Sequence, residues 1–545
     1  MSSTEADRRS QRREWLPVLV AATALALVAF DYCFEHHLLL LYGDAVAHLH
    51  IARRVFDSMN PGFRQLGSVW LPLPHLLLIP FVQRMDWWQN GAAGAFPSMA
   101  CYIAGCVGIY RLARLWLAPR VSLLALAFFA LNPGLLYLQS TAMTEPLFLA
   151  EMIWVALLVA EFCLELDSGE AGRRADRLLI AAGLVLVAAV YTRYDGWIYA
   201  SFAWLVVAIA LWRQHKLREP VMGSFILFTV MLGAAPALWL AYNARQFGDP
   251  LDFMRGPYSA RAIELRTATP GSPHYPGWHS MRVAALHFLK AAELDAVPIR
   301  WANKLLWLSV AGTGLALYAR SRAIGAALLL WIPLPFYAYS IAYGSVPIFI
   351  PVWWPFSWYN TRYGMEMLPV FALFAAFAAS WLLSWVQARS PKAGQWVYAT
   401  MILLILANSA ALLHARPIVL QEAIANSRTR IPFEGALADA LRSLPPDGLI
   451  LMYTSEHVGA LQQAAIPLRR TINETDYYRF KPALEKPAES ARWVVATDGD
   501  VVDKAIKLHP DHLELMSVTC STGQPCARVY RSQVDTPVAP AAPGQ

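Results

Sequence analysis

The chain carries little charge for its length. Of its 545 residues only 15% are Asp, Glu, Lys or Arg, while 57% are hydrophobic; a soluble domain carries about 25% charged residues. That shortfall excludes an ordinary soluble fold. Cysteine is scarce as well: six residues are too few for a disulfide framework. Cys101, Cys106 and Cys163 fall in apolar segments, where a thiol packs as a small hydrophobe. Cys520 and Cys526 lie in a polar tail and could pair if that tail is outside the cytoplasm. No solenoid-type repeat is visible. The first apolar stretch has no clear A-x-A cleavage site, so it reads as an uncleaved span.

What the chain has is long apolar runs. A membrane helix needs about 20 largely apolar residues, and about eleven segments qualify: 16–41, 93–110, 121–137, 145–163, 178–192, 197–212, 221–243, 302–319, 323–342, 364–386 and 396–414. VWLPLPHLLLIPF, 70–82, is short and proline-rich and reads as interfacial or re-entrant. Loop charge orients the map. Arg8, Arg9, Arg12 and Arg13 put the N-terminus in the cytoplasm. Every second loop thereafter is basic: RLARLWLAPR, the stretch with Arg173, Arg174 and Arg177, RQHKLRE, the pair Arg320 and Arg322, and QARSPKAGQ. The net charge of +7 is mostly this orienting signal and does not suggest nucleic acid.

The organisation follows. Residues 1–15 form a cytoplasmic tail, and 16–414 a transmembrane domain with a first outer loop at 42–92 and a long outer loop at 244–301. Residues 415–535 form a small outer α/β domain, and 536–545 a disordered end. In the α/β domain EGALADALRSL and VVDKAIKLH have helical periodicity, GLILMYT and RWVVAT read as strands, and LELMSVTC with CARVYRS reads as a terminal pair.

The candidate chemical residues crowd one side of this map. Asp44, Glu145, Arg193, Asp195 and Arg362 all fall at outer ends of apolar segments, and ionisable groups in such places are costly and usually functional. In the first loop, 44–57 has the spacing of an amphipathic helix lying in the interface. Asp44 and His48 share a face. Asp44 fits a helix cap and a catalytic carboxylate equally well, and His48 reads as a hydrogen-bonding residue. A metal site from Asp44, His48 and Asp57 is a weak pattern. Arg53 and Arg54 fit lipid headgroups or the phosphate of a lipid substrate. Glu145 opens the fourth span in TAMTEPLF, with Thr144 or Thr141 as cap candidates and Pro146 at an early helical position. Glu151 lies deeper and must pair or face a cavity. Arg193 and Asp195 flank Tyr194 in TRYDGW and could be a local ion pair or part of a site. Arg362, between Tyr359 and Tyr363, is placed for a phosphate or a stacked sugar ring. The 244–301 loop, with Arg255 among several basic residues, is long enough for a mobile lid.

An acid after span one, TEP at the fourth span, TRYDGW at the fifth and RYGMEMLP near the tenth make the chain resemble the GT-C glycosyltransferases. The nearest branch holds the protein O-mannosyltransferases and the lipid A aminoarabinose transferase. The resemblance covers about residues 15–415. It implies a polytopic α-helical GT-C fold and a polyprenyl-phosphate-linked sugar as donor, with a divalent metal left open. It also implies transfer on the extracytoplasmic face to a hydroxyl of a lipid, glycan or protein. By resemblance Asp44 takes the place of the first-loop acid, Glu145 that of the second acid, and Arg362 that of the residue near donor phosphate. The chain departs from the pattern twice. Asp44 is followed by Ala45 rather than a second acid, and WLPLPH stands where a Lys-Pro-Pro-like stretch is usual, leaving His75 as a candidate phosphate contact. Sugar and acceptor stay open.

Such a transfer needs a base for the acceptor hydroxyl, which Asp44 can supply, and cations for the leaving phosphate. A single displacement inverts the anomeric centre. Two rivals remain: a lipid or solute transporter, and a lipid-linked oligosaccharide polymerase or ligase. The expected location is a bacterial inner membrane, with the N-terminus cytoplasmic and the C-terminal domain periplasmic.

Overall fold

The computed structural model describes residues 3–168, 172–214, 221–267, 271–455 and 457–537, with side chains from residue 14 onward. The side chains of the N-terminal arginine cluster, and parts of RQHKLRE, of the 244–301 loop and of the final tail, therefore lie outside what is described.

Among the described residues nine helices are long and apolar enough to cross a membrane: Glu14–Glu35, Ala92–Arg114, Glu145–Asp167, Arg173–Thr192, Asp195–Arg213, Val221–Phe247, Ile324–Tyr343, Thr361–Gln387 and Pro391–Arg442. The two other expected spans are helical but shorter. The expected span 121–137 is interrupted: helix Pro119–Ala130 ends, and Asn132 caps a new helix, Pro133–Leu138, by accepting from the Leu135 amide. The expected span 302–319 is helix Ala302–Tyr318, 17 residues or about 25 Å long.

The chain divides into two compact units. The first comprises Met1–Glu35, Ser68–Pro74 and Ser98–Glu422; the second comprises His36–Gly67, His75–Pro97 and Ala423–Gln545.

In the first unit small residues let helices approach closely. A Cβ on Gly312 would stand 1.8 Å from the Phe374 carbonyl oxygen, and one on Gly364 would stand 2.4 Å from the Ala292 amide. The second contact seats the short 3-10 helix Thr361–Met367 directly on helix Met281–Ala296. The second half of the 244–301 loop is this 16-residue helix, capped by Ser280, whose side chain accepts from the Val283 amide. Helices Asp252–Arg255 and Ala260–Thr267 organise the first half.

In the second unit the first outer loop and the C-terminal segment form one body, which the division at residues 42–92 and 415–535 did not anticipate. Asp57, 1% exposed, is 2.8 Å from Arg53 and 3.7 Å from Arg469. Gln65 donates to the Thr475 carbonyl, Asn60 to Asp476, Gln462 to the Trp88 carbonyl, and the Arg64 guanidinium lies 3.8 Å from the Tyr477 ring centroid. The sheet comprises β1 (Ile450–Met452), β2 (Thr471–Ile472), β3 (Trp493–Thr497), β4 (Leu513–Thr519) and β5 (Ala527–Ser532), in the order β2-β1-β3-β5-β4. β1 pairs parallel with β2 and β3, and β5 antiparallel with β3 and β4. Leu451, Val494, Val502 and Ile506 fill the core beneath it. Cys520 and Cys526 are joined by a disulfide. Asn473 of the N-E-T tripeptide is buried and bonded to Thr471 and Thr475.

Candidate active site

In the first unit, five of the candidates from separate parts of the sequence meet in one buried network: Glu145, Arg193, Asp195, Arg362 and Tyr363. Arg193 is its centre. It donates to the Tyr337 hydroxyl at 2.6 Å and to the Thr144 hydroxyl at 3.0 Å, and lies 3.2 Å from Asp195, 3.3 Å from Glu366 and 3.5 Å from Glu145. Tyr337 lies 2.7 Å from Glu366 Oε1 and 3.1 Å from Asp195 Oδ2; its single proton serves one carboxylate at a time. The Tyr363 ring stacks on Tyr337 and lies under both guanidinium groups, 4.9 Å from Arg193 and 5.0 Å from Arg362.

Helix ends place these groups. Glu145 opens its helix beside Pro146, and Thr144 occupies the cap position without a side-chain cap bond, its hydroxyl turned to Arg193 instead. Thr141 bonds the Leu138 carbonyl. Asp195 begins the next helix but one and accepts from the Gly196 amide. Arg362 sits in the first turn of the 3-10 helix. The turn before it is made by Asn360 at φ 55°, a left-handed conformation that Asn tolerates better than most residues.

A carboxylate that sequence reasoning missed holds this turn. Glu422 accepts from the Asn360 and Thr361 amides, both at 2.8 Å, from the Thr361 hydroxyl at 2.6 Å, and from Arg362 Nη1 at 3.2 Å. It is fully buried and fully satisfied. Glu145 is the opposite. Its Oε1 lies 3.2 Å from Arg362 Nε and 3.5 Å from Arg193 Nη1, yet neither of its buried oxygens makes a hydrogen bond. Two arginines thus converge on a carboxylate that neither grips well, an arrangement an entering oxyanion can compete for. Glu366 and Tyr337 also went unnamed. Glu366 had a readable signal, since an acid just inside an apolar span is a functional candidate. Glu151 bonds the Thr192 hydroxyl.

The remaining candidates of this unit sit differently. Tyr194 stacks on Phe253 at 4.8 Å and donates to the Val69 carbonyl. Tyr359 is exposed and bridges to Phe349. Arg255 is exposed and pairs with Asp249 at 3.7 Å.

The second unit holds Asp44, His48, Arg53, Arg54 and His75. Helix Gly43–Arg54 is buried over most of its surface, so it is not the one-faced interfacial helix expected. Tyr42 occupies the cap position without a side-chain cap bond, and Asp44 is second in the helix, in its first turn and partly exposed. His48 Nδ1 and His75 Nε2 lie 2.9 Å apart, one ring donating to the other. Arg53 donates from Nε to Asp57 and from Nη1 to the Val82 and Gln83 carbonyls. Arg54 donates to the Gln65 carbonyl and remains partly exposed. His50 is buried, and burial together with nearby Arg54 lowers its pKa well below the ordinary 6.5. Among the described residues no group of three or more His, Cys, Asp or Glu side chains is arranged to hold a metal ion, and Asp57 is already engaged by two arginines.

No protein-family model matches the sequence, and no curated protein does. Solved structures do. The chain is similar to ArnT from Cupriavidus metallidurans bound to undecaprenyl phosphate, at 15% identity and a TM-score of 0.56, covering 94% of this chain and 97% of that one. The apo form of the same protein gives 16% identity and a TM-score of 0.54 over the same shares. The Archaeoglobus fulgidus oligosaccharyltransferase in its apo form gives 14% identity and 0.47, covering 96% of this chain and 75% of that one. The two ArnT structures show the fold: this chain is an integral membrane protein with the fold seen in ArnT and a small C-terminal sheet domain.

Proposed function

We propose that the protein is an inverting membrane glycosyltransferase that moves a sugar from a polyprenyl-phosphate-linked donor to a hydroxyl acceptor on the extracytoplasmic face. The observation that carries this reading is the pair Arg193, partly buried, and Arg362, buried, converging on the buried carboxylate of Glu145, whose oxygens make no hydrogen bond, in a chain with the fold of a protein seen bound to undecaprenyl phosphate. Charge develops on the leaving phosphate as the glycosidic bond breaks, and guanidinium groups held in advance stabilise that charge without reorganising.

In this reading Asp44 removes the proton from the acceptor hydroxyl, its oxygen attacks the anomeric carbon, and the bond to phosphate breaks with its electrons on the leaving oxygen. Glu145 is the second catalytic acid and holds the two arginines together until phosphate takes its place. Glu422, through Asn360 and Thr361, keeps Arg362 aimed. Tyr359, Tyr363, His48, His75, Arg54, Tyr194 and Arg255 remain candidates for sugar, phosphate or lipid contact. The membrane is a bacterial inner membrane, with the N-terminus cytoplasmic and the C-terminal domain periplasmic.

The test is turnover of radiolabelled polyprenyl-phosphate sugars by the purified protein and by Asp44→Asn. Removing a general base slows transfer by about 10²–10⁴-fold. An Asp44→Asn protein with full activity would show that Asp44 is not the base.

A further inference from the structure

Three groups crowd the hydroxyl oxygen of Tyr337: Arg193 Nη2 at 2.6 Å, Glu366 Oε1 at 2.7 Å and Asp195 Oδ2 at 3.1 Å. A hydroxyl has one proton to give and two lone pairs to receive with. Arg193 fills one lone pair, since a guanidinium only donates. The Tyr337 proton goes to one carboxylate, and the oxygen of the other then faces the remaining lone pair at hydrogen-bond distance. Two acceptors so placed repel unless a proton lies between them. Both carboxylates are buried, Glu366 at 0% and Asp195 at 3% exposure, where a polar contact left without its proton costs most. The contacts also say which oxygen carries that proton. Asp195 accepts on both oxygens, from the Gly196 amide at Oδ1 and from Arg193 Nε at Oδ2. Glu366 Oε2 makes no hydrogen bond, and its Oε1 lies 3.3 Å from Arg193 Nη2.

We propose that Glu366 is a protonated acid and that a chain of hydrogen bonds runs from it through Tyr337 to Asp195, making Tyr337 and Glu366 positioning residues for Arg193. The Glu366 O–H donates to the Tyr337 oxygen, the Tyr337 O–H donates to Asp195, and no covalent bond between heavy atoms changes. Arg193 is then held along one edge by Tyr337 and Asp195, while its Nη1 stays turned to Thr144 at 3.0 Å and to Glu145 at 3.5 Å. An ionised Glu366 would instead add a second full charge beside Nη2 and draw the guanidinium off a phosphate arriving at Glu145. The elements packed on the segment of Glu366 also carry Glu145 and Glu151 in Glu145–Asp167, and His287, Lys290, Glu293 and Asp295 in Met281–Ala296; Arg362 and Tyr363 share its own segment. Lys290 is engaged by Glu293 and Asn303, and Arg362 by Glu145 and Glu422, so Arg193 is the cation at Glu366 among the described residues. The positioning role rests on the transferase reading; the proton does not.

Two measurements test it. Infrared difference spectra of the resting protein against Glu366→Gln need no substrate and should show a protonated-carboxyl band that the variant loses. Asp195→Asn should lose an ionised-carboxylate band instead. Tyr337→Phe keeps the ring on Tyr363 and removes only the hydroxyl, so it should displace the carboxyl band. A carboxylate band lost from Glu366→Gln, or a carboxyl band unmoved by Tyr337→Phe, would overturn the proposal whatever the turnover. On a radiolabelled polyprenyl-phosphate sugar, Glu366→Ala and Tyr337→Phe should each lose about 10- to 100-fold in kcat/KM, as expected when a buried partner is left unsatisfied. Glu366→Gln, whose amide still donates an N–H to Tyr337, should recover most of the loss seen in Glu366→Ala. Equal losses in Gln and Ala would overturn the positioning role. The predicted bands with no turnover on any donor would support the proton while removing the transferase reading, and the positioning role with it.

Discussion

Replacing Glu422 by alanine should loosen the segment that carries Arg362. The side chain is fully buried and accepts four hydrogen bonds, from two backbone amides, one hydroxyl and one guanidinium. A hydrogen bond to a charged group contributes about 1.5–3 kcal/mol, but four bonds to one group do not add. The better guide is the cost of removing one partner of a buried ion pair, about 3–5 kcal/mol. Both backbone amides would be left buried without an acceptor, which holds the expectation at the upper end of that range. Melting followed by tryptophan fluorescence in detergent, with 21 tryptophans as reporters, should fall by about 3–4 °C. Glu422→Gln should fall less, since the amide keeps one acceptor oxygen while turning an NH₂ toward other donors. If Glu422→Ala melts within about 1 °C of wild type, the carboxylate does not hold the turn, and Arg362 must be aimed by something else.

Gly364→Ala should cost about 1–3 kcal/mol or more, because its new methyl meets backbone of Ala291 and Ala292 at 2.4–2.7 Å; the same melting experiment reads it, and an unchanged transition would mean that the two segments are not in contact. His50 supplies a pH dependence. Its folded pKa is depressed below 6.5, so above 6.5 it is neutral in both states and has no effect. As pH falls below 6.5 the unfolded chain binds the proton and the folded chain does not, and stability drops. Wild type should therefore lose melting temperature between about pH 7 and 5, and His50→Gln should lose less; parallel curves would place His50 in contact with water.

Much of the architecture was legible in the sequence because the membrane imposes a coarse, strong code. Apolar length located nine of the eleven expected spans as helices long enough to cross a membrane, and the other two are shorter, broken at Asn132-Pro133 in one and 17 residues long in the other. Strands β1, β3, β4 and β5 announced themselves by their apolar residues, whereas β2 is two residues long and leaves no period to detect. The ends of the apolar helices supplied Glu145, Arg193, Asp195 and Arg362 for the same reason, since a charge there stands out. Glu422 and Tyr337 did not stand out. A glutamate in a mixed helix looks solvated, and nothing local says that it reaches across some 60 residues to the Asn360 turn. Arg53 is a local case: its spacing fits phosphate recognition, and it pairs with Asp57 one helical turn away. Pairing between distant segments, which also welds the first loop to the C-terminal sheet, is what periodicity cannot report.

The most direct measurement is the release of polyprenyl phosphate from a panel of radiolabelled polyprenyl-phosphate sugars by the purified protein in nanodiscs, where no gradient exists. The transferase reading predicts turnover of one donor in the panel and formation of an inverted product. Saturable binding with no cleavage of any donor, together with vectorial movement in sealed vesicles, would contradict it.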